Sequence, residues 1–110
     1  MLTINNTSKF KITKLKPSYA MYFTYDNQKY LLHSKSDCGY RITTLYKRNL
    51  IWNSYKLEIV SSVWWDYFDE IYSVINKNYT SINGTPTYSH IDKIDVLKVL
   101  NKAKLIKLKE

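Results

Sequence analysis

The sequence predicts an α+β domain: an antiparallel sheet of about four to six strands (residues 9–60), followed by two helices (about 63–78 and 90–103) packed on one of its faces. Three observations carry this expectation. Apolar residues between Lys9 and Val60 recur with period two, the signature of half-buried strands. At Ser61-Ser62 the period changes to that of an amphipathic helix. The connections in the first half are too short for the crossovers that parallel strands need. Strands first and helices after suit a sheet covered on one side.

The elements follow in order. Phe10 and Ile12 alternate with Lys9 and Lys11, and the phase slips at Lys14 before Leu15 recovers it, which predicts a bulge near Thr13-Lys14. Pro17-Ser18 punctuates the chain. Tyr19, Met21, Phe23 and Tyr25 share a face of the next strand, and Asp26-Asn27-Gln28 turns into a returning arm at Lys29–His33. The polar stretch Ser34–Gly39 reads as a loop. Tyr40, Ile42, Thr44 and Tyr46 alternate in a further strand, and Lys47-Arg48-Asn49 reads as a turn. Leu50–Trp52 and Tyr55–Val60 supply the last one or two strands, with Tyr55, Leu57 and Ile59 on one face.

Ser61 or Ser62 is placed to cap the first helix. Its stripe is Trp64, Tyr67, Phe68, Ile71 and Ile75, and Asp66, Asp69 and Glu70 lie in the turns where acids complement the helix dipole. Tyr79–Tyr88, with Asn83-Gly84 and Pro86, reads as a loop. A second helix follows Ser89, with Asp92 as a capping-box analogue and Val96, Val99, Leu100, Ala103 and Ile106 as its stripe. Residues 104–109 suit either more helix or a short edge strand. Trp64, Phe68, Ile71, Ile75, Val96, Leu100 and Ala103 are expected to face the sheet.

A chain of 110 residues supports one core, so residues 1–110 are expected to form a single domain. With Cys38 as the one cysteine no internal disulfide is possible, and no apolar run approaches the roughly 18 residues of a membrane span. The N-terminal residues lack the charged and apolar regions of a signal peptide, so a cytoplasmic protein is expected, without a membrane partner. Lys, Asn, Ile and Tyr dominate while Gly, Pro, Ala and Arg are scarce, the signature of an A/T-rich gene. Codon bias alone does not produce the net charge of +8. The charge is also segregated: residues 1–56 are basic, 57–95 acidic and 96–110 basic again.

Catalytic and cofactor apparatus is not evident. His33, Cys38 and His90 lack metal-ligand spacing, two isolated glycines cannot build a phosphate-cradling loop, and no cofactor is expected. Asp66, Asp69 and Glu70 share a helix face, where dipole complement and solvation explain them; they also form an acidic patch suited to contacting a protein. The strongest functional pattern is basic side chains interleaved with tyrosines along the strands. Lys9, Lys11, Lys29, Tyr30, Lys35, Tyr40, Arg41, Tyr46, Lys47 and Arg48 combine phosphate-neutralising charge with rings that stack on bases.

In composition the chain resembles the small accessory proteins of bacteriophages and mobile elements. That resemblance implies an inhibitor or modulator that binds a host nucleic-acid-handling enzyme stoichiometrically, for example a CRISPR or restriction effector or its nucleoprotein complex. Direct DNA or RNA binding through the basic, Tyr-rich sheet is the second expectation. A small metal-independent ribonuclease toxin, using His33, Arg41, Tyr46 and Arg48, is the third.

Overall fold

Three tight turns with left-handed backbone set the architecture. In the computed structural model, which describes residues 1–16, 20–64, 80–82, 85–87 and 93–109, φ is positive at Asp26 and Asn27, at Cys38 and Gly39, and at Trp52. Positive φ at both central residues, or at the first alone, lets a two-residue hairpin match the twist of its strands. The strands are β1 (Leu2–Ile4), β2 (Phe10–Lys16), β3 (Ala20–Tyr25), β4 (Gln28–Asp37), β5 (Tyr40–Ile51) and β6 (Ser54–Val63). After them come β7 (Thr80–Ile82), β8 (Thr85–Thr87), helix α1 (Lys93–Lys102) and β9 (Ile106–Leu108). β2 to β6 form an antiparallel meander in sequence order, and the expected bulge appears as a register shift between Ile12 and Lys14.

One face of this sheet carries the core. Phe10, Ile12, Met21, Phe23, Tyr30, Leu32 and Leu45 point inward and are buried against Val96, Leu97 and Leu100 of α1 and Ile4 and Ile106 of the β1–β9 pair. Phe23 sits at its centre, its ring 5.0 Å from Phe10 and stacked at 5.2 Å on Tyr30. At the edge of this layer Ser61 Oγ donates to the Leu105 carbonyl at 2.6 Å. The Tyr25 hydroxyl accepts from the Asn5 and Asn6 amides and donates to Asn5 Oδ1, tying the N-terminal segment to β3.

The C-terminal segment leaves the helix. Lys104 adopts φ 61°, its amide donates to the Asn101 carbonyl, and the Leu105 amide donates to the Leu100 carbonyl. This is the Schellman pattern, with Leu100 and Leu105 as its buried apolar pair. The chain then runs into β9, which pairs in parallel with β1.

Several expectations need correcting. Ser34–Gly39 is not a loop: β4 continues to Asp37, because Ser34, Lys35 and Ser36 find ladder partners in Thr43, Ile42 and Arg41. Lys47-Arg48-Asn49 is not a turn but the middle of β5, held between β4 and β6; the chain reverses at Trp52-Asn53. Ser61, Ser62 and Val63 cap no helix, since they extend β6 opposite Leu45, Thr44 and Thr43. The expected helix at 63–78 therefore does not begin there, and the rest of it, with Phe68, Ile71 and Ile75, lies outside the described residues. Among the described residues there is one α-helix, not two. Trp64 is 69% exposed, packed edge-on against Tyr40 and not in the core. Within the expected loop at 79–88, Thr80–Ile82 and Thr85–Thr87 pair as a short antiparallel ribbon. Among the described residues, no helix is long and apolar enough to cross a membrane.

Candidate functional site

The sheet face turned away from α1 presents two neighbouring rows of side chains. By register, Lys11, Thr24, Lys29, Arg48 and Leu57 form one row across the five strands. Lys14, Tyr22, Leu31, Tyr46 and Ile59 form the next. Because successive strand side chains alternate between faces, both rows share the outer face. Cations lie toward β2 and apolar side chains toward β6.

Where the two regions meet, two cations and two rings lock together. The Arg48 guanidinium lies 4.8 Å from the Tyr22 ring centre and 4.2 Å from that of Tyr55. Lys29 Nζ donates to the Tyr55 hydroxyl at 2.7 Å and lies 5.2 Å from the same ring. Cation–π attraction holds both cations against the surface and pre-pays part of their side-chain entropy. They border an open depression of about 230 Å³ that runs from Asn27 in the β3–β4 turn to Leu50 near the end of β5. The hydrogen bond from Lys29, reinforced by the charge of Lys29 and Arg48, holds the Tyr55 phenol below its usual pKa of 10.0. Spectrophotometric titration should show one tyrosine ionising ahead of the others, and Lys29→Met should return it to the ordinary range. An early-ionising tyrosine that survives the substitution would show that another group stabilises the phenolate.

The interleaved basic and tyrosine residues do not form one surface. Lys11, Lys29, Lys35, Tyr40, Tyr46 and Arg48 lie on the outer face. Tyr30 is a correction: it is buried beneath the sheet against Phe23, where its aromatic body adds to the core, and burial raises its pKa. Arg41 and Lys47 have the opposite strand parity and belong to the other face. Lys9 sits in a single 3-10 turn and pairs with Asp26 at 3.5 Å. The acidic residues Asp66, Asp69 and Glu70 lie outside the described residues. The proposed ribonuclease set is divided, since His33, Tyr46 and Arg48 share the outer face while Arg41 does not. Partial burial, with Lys35 and Arg41 nearby, lowers the His33 pKa. Cys38 is an exposed free thiol at a hairpin turn. Among the described residues no three His, Cys, Asp or Glu side chains gather as a metal site.

What the basic–tyrosine pattern missed is the apolar half of this face. Leu50 is 64% exposed, Leu57 45%, Ile59 65% and Trp52, at the tip of the β5–β6 hairpin, 92%. Trp52 also holds left-handed backbone at φ 57°. For a residue other than Gly that conformation costs about 1–2 kcal/mol, and Trp52 recovers nothing from internal packing. The available signal was the alternation of Tyr55, Leu57 and Ile59. It marks a common face, but periodicity does not say whether anything covers that face.

No known protein family matches the chain, and neither curated proteins nor solved structures give a match.

Proposed function

We propose that this chain is a small binding protein that acts stoichiometrically, docking its outer sheet face on a nucleic-acid-handling enzyme or the nucleoprotein complex it forms. The observation that carries the reading is the exposed apolar set Leu50, Trp52, Leu57 and Ile59 beside the clamped cations Lys29 and Arg48. Leu50, Leu57 and Ile59 are aliphatic and neither stack on bases nor neutralise phosphate, but together with Trp52 they fill the apolar centre of a protein interface, where Trp is enriched. Tyr22 and Tyr55 are already capped by Arg48 and so are poor platforms for bases. The neighbouring cations Lys11, Lys29 and Arg48 suit phosphates or carboxylates at the rim of such a contact. The likeness in composition to phage and mobile-element accessory proteins supports a host enzyme as the target.

Titration of the purified protein against mixed DNA and RNA oligonucleotides, from low to physiological salt, separates this reading from direct nucleic-acid binding. Weak, salt-labile association is expected, together with a nuclease-resistant protein partner whose capture is lost in Leu50→Ser/Trp52→Ser. Tight oligonucleotide binding would overturn the proposal in favour of the direct reading. In that case log affinity should fall by about 0.9 per phosphate neutralised on duplex for each unit of log salt, a slope that Arg48→Glu would flatten.

A further inference from the structure

Among the described residues β6 is the last strand of the sheet: it pairs with β5 on one side, and none of them pairs with its other edge. Exposed edges attract other strands, and proteins usually blunt them with a charge, a proline or a bulge. β6 has a bulge at its far end, where the register shifts opposite Leu45 and Tyr46, which leaves a regular stretch from Ser54 to Ile59. In that stretch Lys56 and Glu58 flank Leu57, and Tyr55 and Ile59 flank that trio. A lone Lys would guard the edge; a Lys and a Glu placed symmetrically about an apolar residue do the reverse.

We infer that β6 is a homodimerisation strand, pairing antiparallel with β6 of a second copy about a two-fold axis through Leu57. This arrangement sets Leu57 opposite its own copy, Tyr55 opposite Ile59 and Lys56 opposite Glu58, with each unlike pair occurring twice. Such self-complementarity is what an isologous interface requires. Centring the axis on Lys56 or Glu58 would set like charges opposite each other, which is destabilising, so charge selects the register. Lys56 and Glu58 are exposed, and neither has an ion-pair partner among the described residues; Glu58 accepts one hydrogen bond, from Asn49. The two-fold axis stands normal to the sheet, so both outer faces look the same way. The dimer therefore joins the two apolar stripes and sets the two Arg48 backbones three strand spacings apart, about 14 Å. The inference stands on β6 alone and is independent of what the outer face binds.

Sedimentation equilibrium of the purified full chain from about 1 to 500 µM tests it. Five residue pairs on one pair of strands bury less than the roughly 1,200 Å² of a standard interface, so a dimer with a dissociation constant in the micromolar range is expected. Lys56→Glu and Glu58→Lys should each weaken it by about tenfold or more, because each puts two like-charge pairs in register. The double swap Lys56→Glu/Glu58→Lys should restore the affinity, and an equimolar mixture of the two single variants should form a heterodimer. Recovery in the swap and the mixture also shows that the single variants are folded. A wild-type chain monomeric throughout the range would overturn the inference, as would a dimer indifferent to all three variants.

Discussion

Replacing Phe23 with Ala is expected to remove about 3–5 kcal/mol of stability, a large share of the roughly 5–15 kcal/mol that holds a domain together. Phe23 is 1% exposed and touches both Phe10 and Tyr30, so truncation removes buried apolar area and leaves a cavity between rings that cannot close over it. Denaturant unfolding followed by circular dichroism should show the midpoint falling while the slope is kept, the behaviour of a change in stability without a change in compactness. An unmoved midpoint would mean that the core is not built on the Phe23 face of β3.

Ile4→Ala is expected to cost about 2–5 kcal/mol, although Ile4 lies in a three-residue strand near the chain start. Ile4 is fully buried, sits opposite Leu108 in β9, and its carbonyl accepts from the Lys109 amide at 2.9 Å. Loss of its side chain should loosen both segments together. Hydrogen exchange should accelerate at the β9 amides in the variant while the β3 and β4 amides keep their protection relative to one another. Leu2→Ala, at a half-buried site on the same strand, should have the smaller effect. Equal effects at the two positions, or unchanged β9 protection, would show that the parallel pairing does not contribute to stability.

The strands whose two faces differ were legible. Phe10, Ile12, Met21 and Phe23 mark the inner face by period two, and the slip at Lys14 marks the bulge, because a one-residue offset inverts every later side chain. Val96 and Leu100 likewise mark the buried face of α1, while Ala103 is buried just past its end and Ile106 of the expected stripe belongs to β9. The turns were legible only where turn chemistry is ordinary. Asp26-Asn27 tolerates left-handed backbone, whereas Trp52 does not advertise a turn, and Lys47-Arg48-Asn49 imitates one by composition. Of the candidate surface, Lys29 and Arg48 were readable as cations. Their clamping on Tyr55 was not, because it depends on a register set by the position of the β5–β6 turn.

Period-two alternation, a lone cysteine, the net charge and the helical stripe at Val96–Ala103 are properties of the chain itself, and they specify an antiparallel sheet with helical cover on one side. They leave open which face is covered, since alternation is symmetric between a face that meets a helix and one that meets solvent. Packing of α1 and the β1–β9 pair against Phe23 and Leu32 resolves that choice. By doing so it turns Tyr30 into core, divides Arg41 and Lys47 from Arg48, and leaves Leu57 and Ile59 exposed. The pairing of Leu2–Ile4 with Ile106–Leu108 lies further still from local pattern. Segments of three residues carry too little periodicity to announce themselves, and strands about a hundred residues apart find each other only once a shared core has drawn them together.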